Sequence, residues 1–168
     1  NIPDDFADSF RKLDVHNAYV YLTNVPDGTD HTLKVYDFTD PGNVVLVDTV
    51  ADGSDNVFVS DAHLVLFGGY QMNVYSNTFP GPGLIASHEF ADLQIGNFRQ
   101  HDFFVTEATA DGFTMFAKHL KKLFKVVFEA AGPSFQVTST EIGSVDSDIS
   151  EFYIGDQYVY FSPGAASF

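Results

Sequence analysis

Short apolar runs separated by polar, Gly- and Pro-containing turns dominate the pattern of this chain. They recur at Ala18-Tyr19-Val20-Tyr21-Leu22, His63-Leu64-Val65-Leu66-Phe67, Phe103-Phe104-Val105-Thr106 and Tyr158-Val159-Tyr160-Phe161. Taken from Val20, Val65, Val105 and Val159, the period is roughly 40–55 residues, too long for a hairpin repeat and right for a unit of several strands. A first strand precedes each run, centred on Phe10, Phe58, Phe98 or Phe152. In the last three units the valine follows the phenylalanine by the same interval, and the first unit carries a short insertion. Brief polar turns join the two strands (residues 14–17, 60–62, 100–102 and 155–157), which predicts antiparallel hairpins.

A third strand follows at Leu33-Lys34-Val35-Tyr36-Asp37-Phe38, Met72-Asn73-Val74-Tyr75-Ser76 and Leu123-Phe124-Lys125-Val126-Val127-Phe128. Pro/Gly turns end each one, at Pro41-Gly42, Pro80-Gly81 and Gly132-Pro133, because Pro fixes φ and Gly admits positive φ. Fourth strands are predicted over residues 44–50, 84–90 and 135–142. The first of these is a nearly continuous apolar run, which predicts cover on both faces. Residues 24–32 lengthen a loop. Residues 108–122 are an insertion in the third unit, and alternation of Phe113, Met115 and Ala117 predicts an extra strand there. Helix is expected to be negligible, with residues 4–12 the one weak candidate.

Consecutive four-stranded antiparallel units imply an all-β β-propeller or partial propeller, a single propeller-like domain over residues 1–168 with repeats at about 9–50, 56–90, 95–142 and 149–162. The stretch Leu33-Lys34-Val35-Tyr36-Asp37-Phe38-Thr39-Asp40-Pro41, preceded by Ala18-Tyr19-Val20 and followed by Val44-Val45-Leu46-Val47, resembles the LVIVD-type propeller repeat. The second unit keeps Met72 and Val74 with a Pro-Gly turn but lacks the Asp-Pro, and later units match by strand order alone. The resemblance implies a propeller of the sort found in exported or cell-surface bacterial proteins, hence an extracellular, cell-surface or periplasmic setting. It implies no single activity. The fourth unit ends after two strands, giving about fourteen in all. Either the N-terminal residues close a four-bladed ring, or the chain is about half of a larger propeller; the incomplete unit favours the second. The first residue is Asn, which is expected of a mature, trimmed or partial chain.

Charge narrows the partners. With 23 acidic and 8 basic residues the net charge is −15, the wrong sign for nucleic-acid phosphates. The small basic cluster Lys118, Lys121, Lys122 and Lys125 does not change this. No run is apolar for long enough to span a membrane as a helix. Lack of cysteine excludes thiol chemistry and thiolate metal sites.

Two sets of residues are candidates for chemistry. His16, His63 and His101 lie at equivalent turns, each near an aspartate: Asp14, Asp61 and Asp102. Gathered on one rim they would form a metal or acid–base site; as ordinary turn residues, the aspartates would bond their local backbone. Acidic loops at residues 27–30 and 52–56, and above all Asp146, Asp148 and Glu151, carry alternate carboxylates of the kind that ligate Ca2+. None has the full EF-hand spacing, and solvated turns explain them as well. Tyr19, Tyr21, Tyr36, Tyr75, Tyr158 and Tyr160 are expected in the core rather than as a sugar platform. The reading favoured by the sequence is a non-catalytic binding or assembly module, acting through loops or an open blade edge. Its partner would be another protein, another copy or the remainder of its own polypeptide. The alternative is a cation-assisted enzyme with a site at the propeller axis.

Overall fold

The computed structural model describes residues 10–24, 32–51, 56–91, 93, 103–131, 134–155 and 158–163. These form fourteen strands and no helix. The first sheet is a meander of β1 (Phe10–His16), β2 (Tyr19–Asn24), β3 (Thr32–Asp37) and β4 (Val45–Ala51). The second repeats it with β5 (Asn56–Val59), β6 (His63–Gly68), β7 (Gln71–Ser76) and β8 (Leu84–Glu89). The third contains β9 (Phe103–Thr109), β10 (Gly112–His119), β11 (Lys122–Ala131) and β12 (Ser134–Ser144). The fourth has β13 (Ile149–Ile154) and β14 (Val159–Pro163) only. All pairings are antiparallel. Each sheet is open, and the sheets do not close on one another.

Period-two alternation explains the packing. In the second sheet, Val57, Val59, Leu64 and Leu66 join Tyr21, Leu33 and Val35 of the first sheet in one buried cluster. Its opposite face sends Val65, Phe67, Met72 and Val74 into a larger cluster with Phe113, Met115, Ala117, Phe124, Val126 and Phe128 of the third sheet. A sheet apolar on both faces must be sandwiched, and each fully buried aliphatic side chain contributes roughly 1.5–3 kcal/mol. Phe113, Phe128 and Phe135 stack in sequence, with centroids 5.0 and 4.7 Å apart.

Local rules set the turns. Asn17 and Ala18 have φ of 47° and 63°, the two positive values a type I′ hairpin turn requires. Gly112 opens β10 at φ 153°, where a Cβ would stand 2.0 Å from the Phe128 carbonyl oxygen; only glycine fits so close to β11.

The structure corrects two strand assignments. The third sheet is complete without a strand at Phe98: Phe103–Thr109 is its first strand, and the apparent insertion supplies its second, Gly112–His119. The alternation of Phe113, Met115 and Ala117 belongs to a principal strand of the sheet, not to an addition. Residues around Phe98, and 4–9 of the helix candidate, lie outside the described residues; Phe10–Lys12 are strand. The apolar run in β4 is not covered on both faces, since Val45 and Leu46 are exposed. As the last strand of its sheet, β4 pairs with β3 alone, so its outer flank meets no further strand.

Candidate functional site

Two regions collect polar or aromatic side chains in a way that packing alone does not explain. One is the rim where the β1–β2 and β5–β6 turns meet. His16 Nε2 lies 2.8 Å from Asp61 Oδ1, and Asn17 Nδ2 donates to the same oxygen at 3.0 Å. Asn17 Nδ2 also comes within 2.9 Å of His16 Nε2. That ring nitrogen cannot donate to Asp61 and accept from Asn17 together, so Asp61 is best satisfied by two donors. These hydrogen bonds, from His16 first and Asn17 next, hold the Asp61 carboxyl below its usual pKa. Asp14 turns its other way: Oδ1 accepts from Val15 N at 2.8 Å and Oδ2 from Val59 N at 2.9 Å, capping an otherwise open backbone donor of β5.

The rim thus brings Asp14, His16 and Asp61 together but pairs them across sheets rather than within each turn. His63 is elsewhere. Its ring is 1% exposed and packs edge-on with Phe113, Phe128 and Phe135. Among the described residues Nδ1 has no hydrogen-bond partner, and burial lowers the pKa of the ring. His101 and Asp102 lie outside the described residues, as do residues 27–30, 52–55 and His31. Among the described residues, no three His or carboxylate groups converge as metal ligands. Asp146, Asp148 and Glu151 are exposed, and the Asp146 carbonyl instead accepts from Lys121 Nζ at 2.7 Å. The basic cluster also disperses: Lys118 is buried and Lys122 pairs with Glu141 at 2.8 Å. Among the described residues no helix is long and apolar enough to cross a membrane.

The second region is the fourth sheet. Tyr153, Tyr158, Tyr160 and Phe161 are 65, 67, 59 and 47% exposed, whereas Leu64, Val65, Leu66 and Phe67 of the corresponding strand in the second sheet are all at 0%. The expectation that the tyrosines are core therefore holds for Tyr21 and Tyr36 and fails for Tyr158 and Tyr160. Between the third and fourth sheets lies an open wedge of about 650 Å3, floored by Phe104, Phe116, Thr114 and Lys125 and walled by Ile154 and Val159. The rings of Phe104 and Tyr153 approach to 6.4 Å between the two sheets. The expected two-strand fourth unit agrees with β13 and β14 as the described strands of that sheet; what the sequence reading did not give is the exposure of Tyr158 and Tyr160.

No protein-family model and no curated protein matches this chain.

Proposed function

We propose that this chain is a non-catalytic binding or assembly module, built of propeller-type blades, that engages a polypeptide partner through its fourth sheet. One observation carries the reading: an aromatic strand occupies the second position of a sheet, the place buried in the second sheet, and stands open to solvent. Exposed aromatic surface at an unpaired sheet edge is a template for another chain. The propeller reading is supported by three four-stranded meanders packed face to face in chain order. An exported or cell-surface setting is supported by the Leu33–Pro41 pattern.

The test is the state of the isolated chain at micromolar concentration. Association or binding of a hydrophobic dye is expected, with Tyr158 and Tyr160 open to iodination. A compact monomer that melts cooperatively, binds no dye and protects both tyrosines would overturn the reading.

A further inference from the structure

The two seams between the first three sheets are held differently. Side-chain hydrogen bonds cross the first. Asp14 Oδ2 accepts from Val59 N at 2.9 Å, Asp48 Oδ2 accepts from Gly81 N at 2.7 Å, and the Tyr21 hydroxyl donates to Asn77 Oδ1 at 3.1 Å. The second seam is an apolar cluster in which Val65, Phe67, Met72 and Val74 meet Met115, Ala117, Phe124 and Val126. His63 stands at one end of it, on the same face of β6 as Val65 and Phe67. Its ring centroid lies 6.2 Å from Phe113 of β10, 5.5 Å from Phe128 of β11 and 6.1 Å from Phe135 of β12. Three strands of one sheet thus close on a single ionisable side chain of the next.

This cage suits a neutral imidazole and not an imidazolium. Phe113, Phe128 and Phe135 are stacked in sequence, at 5.0 and 4.7 Å. A ring nearly equidistant from all three lies beside the stack, against ring edges rather than over a face. Aromatic edges are the positive part of the quadrupole, so they give a cation no support. The ring is 1% exposed and, among the described residues, Nδ1 has no partner. A second ring N–H would be dry and unpaired there.

Charge that could offset a proton is turned away. Neither β5 nor β7, the neighbours of β6, carries a charged residue, and Tyr75 of β7 alternates into the first seam. On β10 and β11, Lys118, Lys125 and Glu129 alternate to the face opposite Phe113 and Phe128. His119, Lys122 and Glu141 share the seam face but lie toward its far end, where Lys122 and Glu141 pair at 2.8 Å. Asp61 accepts from His16 and Asn17. His88 of β8 is also at the far end, opposite Met72. It is half-buried and lines a pocket of about 200 Å3 with Glu141, so it can take a proton with the sheets in place.

We propose that His63 is an acid-release latch: its protonation parts the third sheet from the second along this seam, while the first and second sheets stay joined. Burial holds the closed-seam pKa below 6.5, and the freed ring titrates near that ordinary value. The open form therefore binds the proton more tightly, and opening rises as pH falls through 6.5. The aspartates that tie the first seam remain ionised in this range. The latch does not depend on what the fourth sheet engages.

The chain has no cysteine, so one introduced thiol reports one seam. Ala117→Cys puts it at a fully buried position of the second seam, and Val35→Cys does so in the first. Each protein is reacted with a dipyridyl disulfide at pH 7.5 and 5.5, and each rate is divided by that of the urea-unfolded chain at the same pH. Ala117→Cys is expected to react about tenfold faster at the lower pH, the population gain from one proton bound a pH unit below its open-state pKa. Val35→Cys should not change. His63→Phe and His63→Leu, either of which suffices, should each remove the rise at Ala117→Cys, and His88→Asn should keep it. An equal rise at both thiols means that acid unfolds the chain as a whole, and overturns the proposal. So does a rise that persists in the His63 variants, a rise lost in His88→Asn, or no rise at all.

Discussion

Tyr21 and Tyr160 hold the same place in two sheets of one repeat, and their surroundings could hardly differ more. Tyr21 is 1% exposed, packs on Phe79 at 5.9 Å and donates its hydroxyl to Asn77 Oδ1 at 3.1 Å. Burial pushes its pKa up to about 12. Tyr160 faces solvent, with Tyr158 6.4 Å away as its ring neighbour. The sheets behind them differ likewise. The first and second are tied by Asp14 to Val59 N, His16 and Asn17 to Asp61, Tyr21 to Asn77, and Asp48 to Gly81 N at 2.7 Å. Asn77 also bonds Ser60 O. The third and fourth enclose a wedge. An aromatic strand is therefore not core by virtue of its composition; it becomes core when a neighbouring sheet brings both apolar cover and partners for its polar atoms.

The largest expected effect tests that contrast directly. Tyr21→Ala should cost about 3–5 kcal/mol in urea unfolding, the range for emptying a buried aromatic site. Tyr160→Ala should stay within about 0.5 kcal/mol, as at an ordinary surface position. Equal losses would mean that the fourth sheet is packed as firmly as the first. Next comes the strap to β5. Asp14→Ala leaves Val59 N without its acceptor and should cost about 1–3 kcal/mol. Asp14→Asn, which retains one acceptor oxygen, should recover part of it. If Ala and Asn behave alike, the hydrogen bond is not what joins these sheets.

Much of this architecture was legible because alternation and turn residues act locally. The polar turns at residues 14–17 and 60–62 announced hairpins, Pro41-Gly42 and Pro80-Gly81 followed third strands, and Phe113, Met115 and Ala117 declared a strand. Register was less legible. Val20, Val65 and Val159 look equivalent in spacing, yet hairpin closure aligns Val20 and Val159 with Leu64, and Val65 with Tyr21 and Tyr160. One residue of slip exchanges the faces, so the sequence pattern could not say which tyrosines were covered. The rim was half legible: turn histidines and aspartates do meet, but the cross-sheet partner of His16 depends on how two sheets pack, and His63 alternates inward with Val65.

The buried His63 separates the middle interface from both others. Its folded pKa lies below the ordinary 6.5, so the unfolded chain binds its proton first and stability falls as pH drops through 6.5 toward the folded value. A single such group gives a slope of up to about 1.4 kcal/mol per pH unit. His88, beside Phe90 and also lowered by burial, adds the same sign. His63→Phe fills nearly the same volume without titrating and should remove most of the slope between pH 7.5 and 5.5. A slope unchanged in that variant would place the sensitivity elsewhere.

The smallest effect is expected at the rim. Asp61 has a depressed pKa because it accepts from His16 and Asn17, so its contribution exists above the ordinary value of 3.8 and fades as pH falls below it. Its side chain is 89% exposed, and water and salt compete for both partners. Asp61→Asn should therefore shift the thermal midpoint only slightly at low ionic strength, and the shift should vanish in molar salt, where charges a few ångströms apart in water are screened. His16→Ala should do the same, and the double variant should add little, because each single change already removes the charge-assisted contact that the two side chains share. A salt-insensitive loss in Asp61→Asn as large as that of Asp14→Ala would reverse the ranking. It would make the exposed clasp, not the half-buried cap on Val59, the tie between the first two sheets.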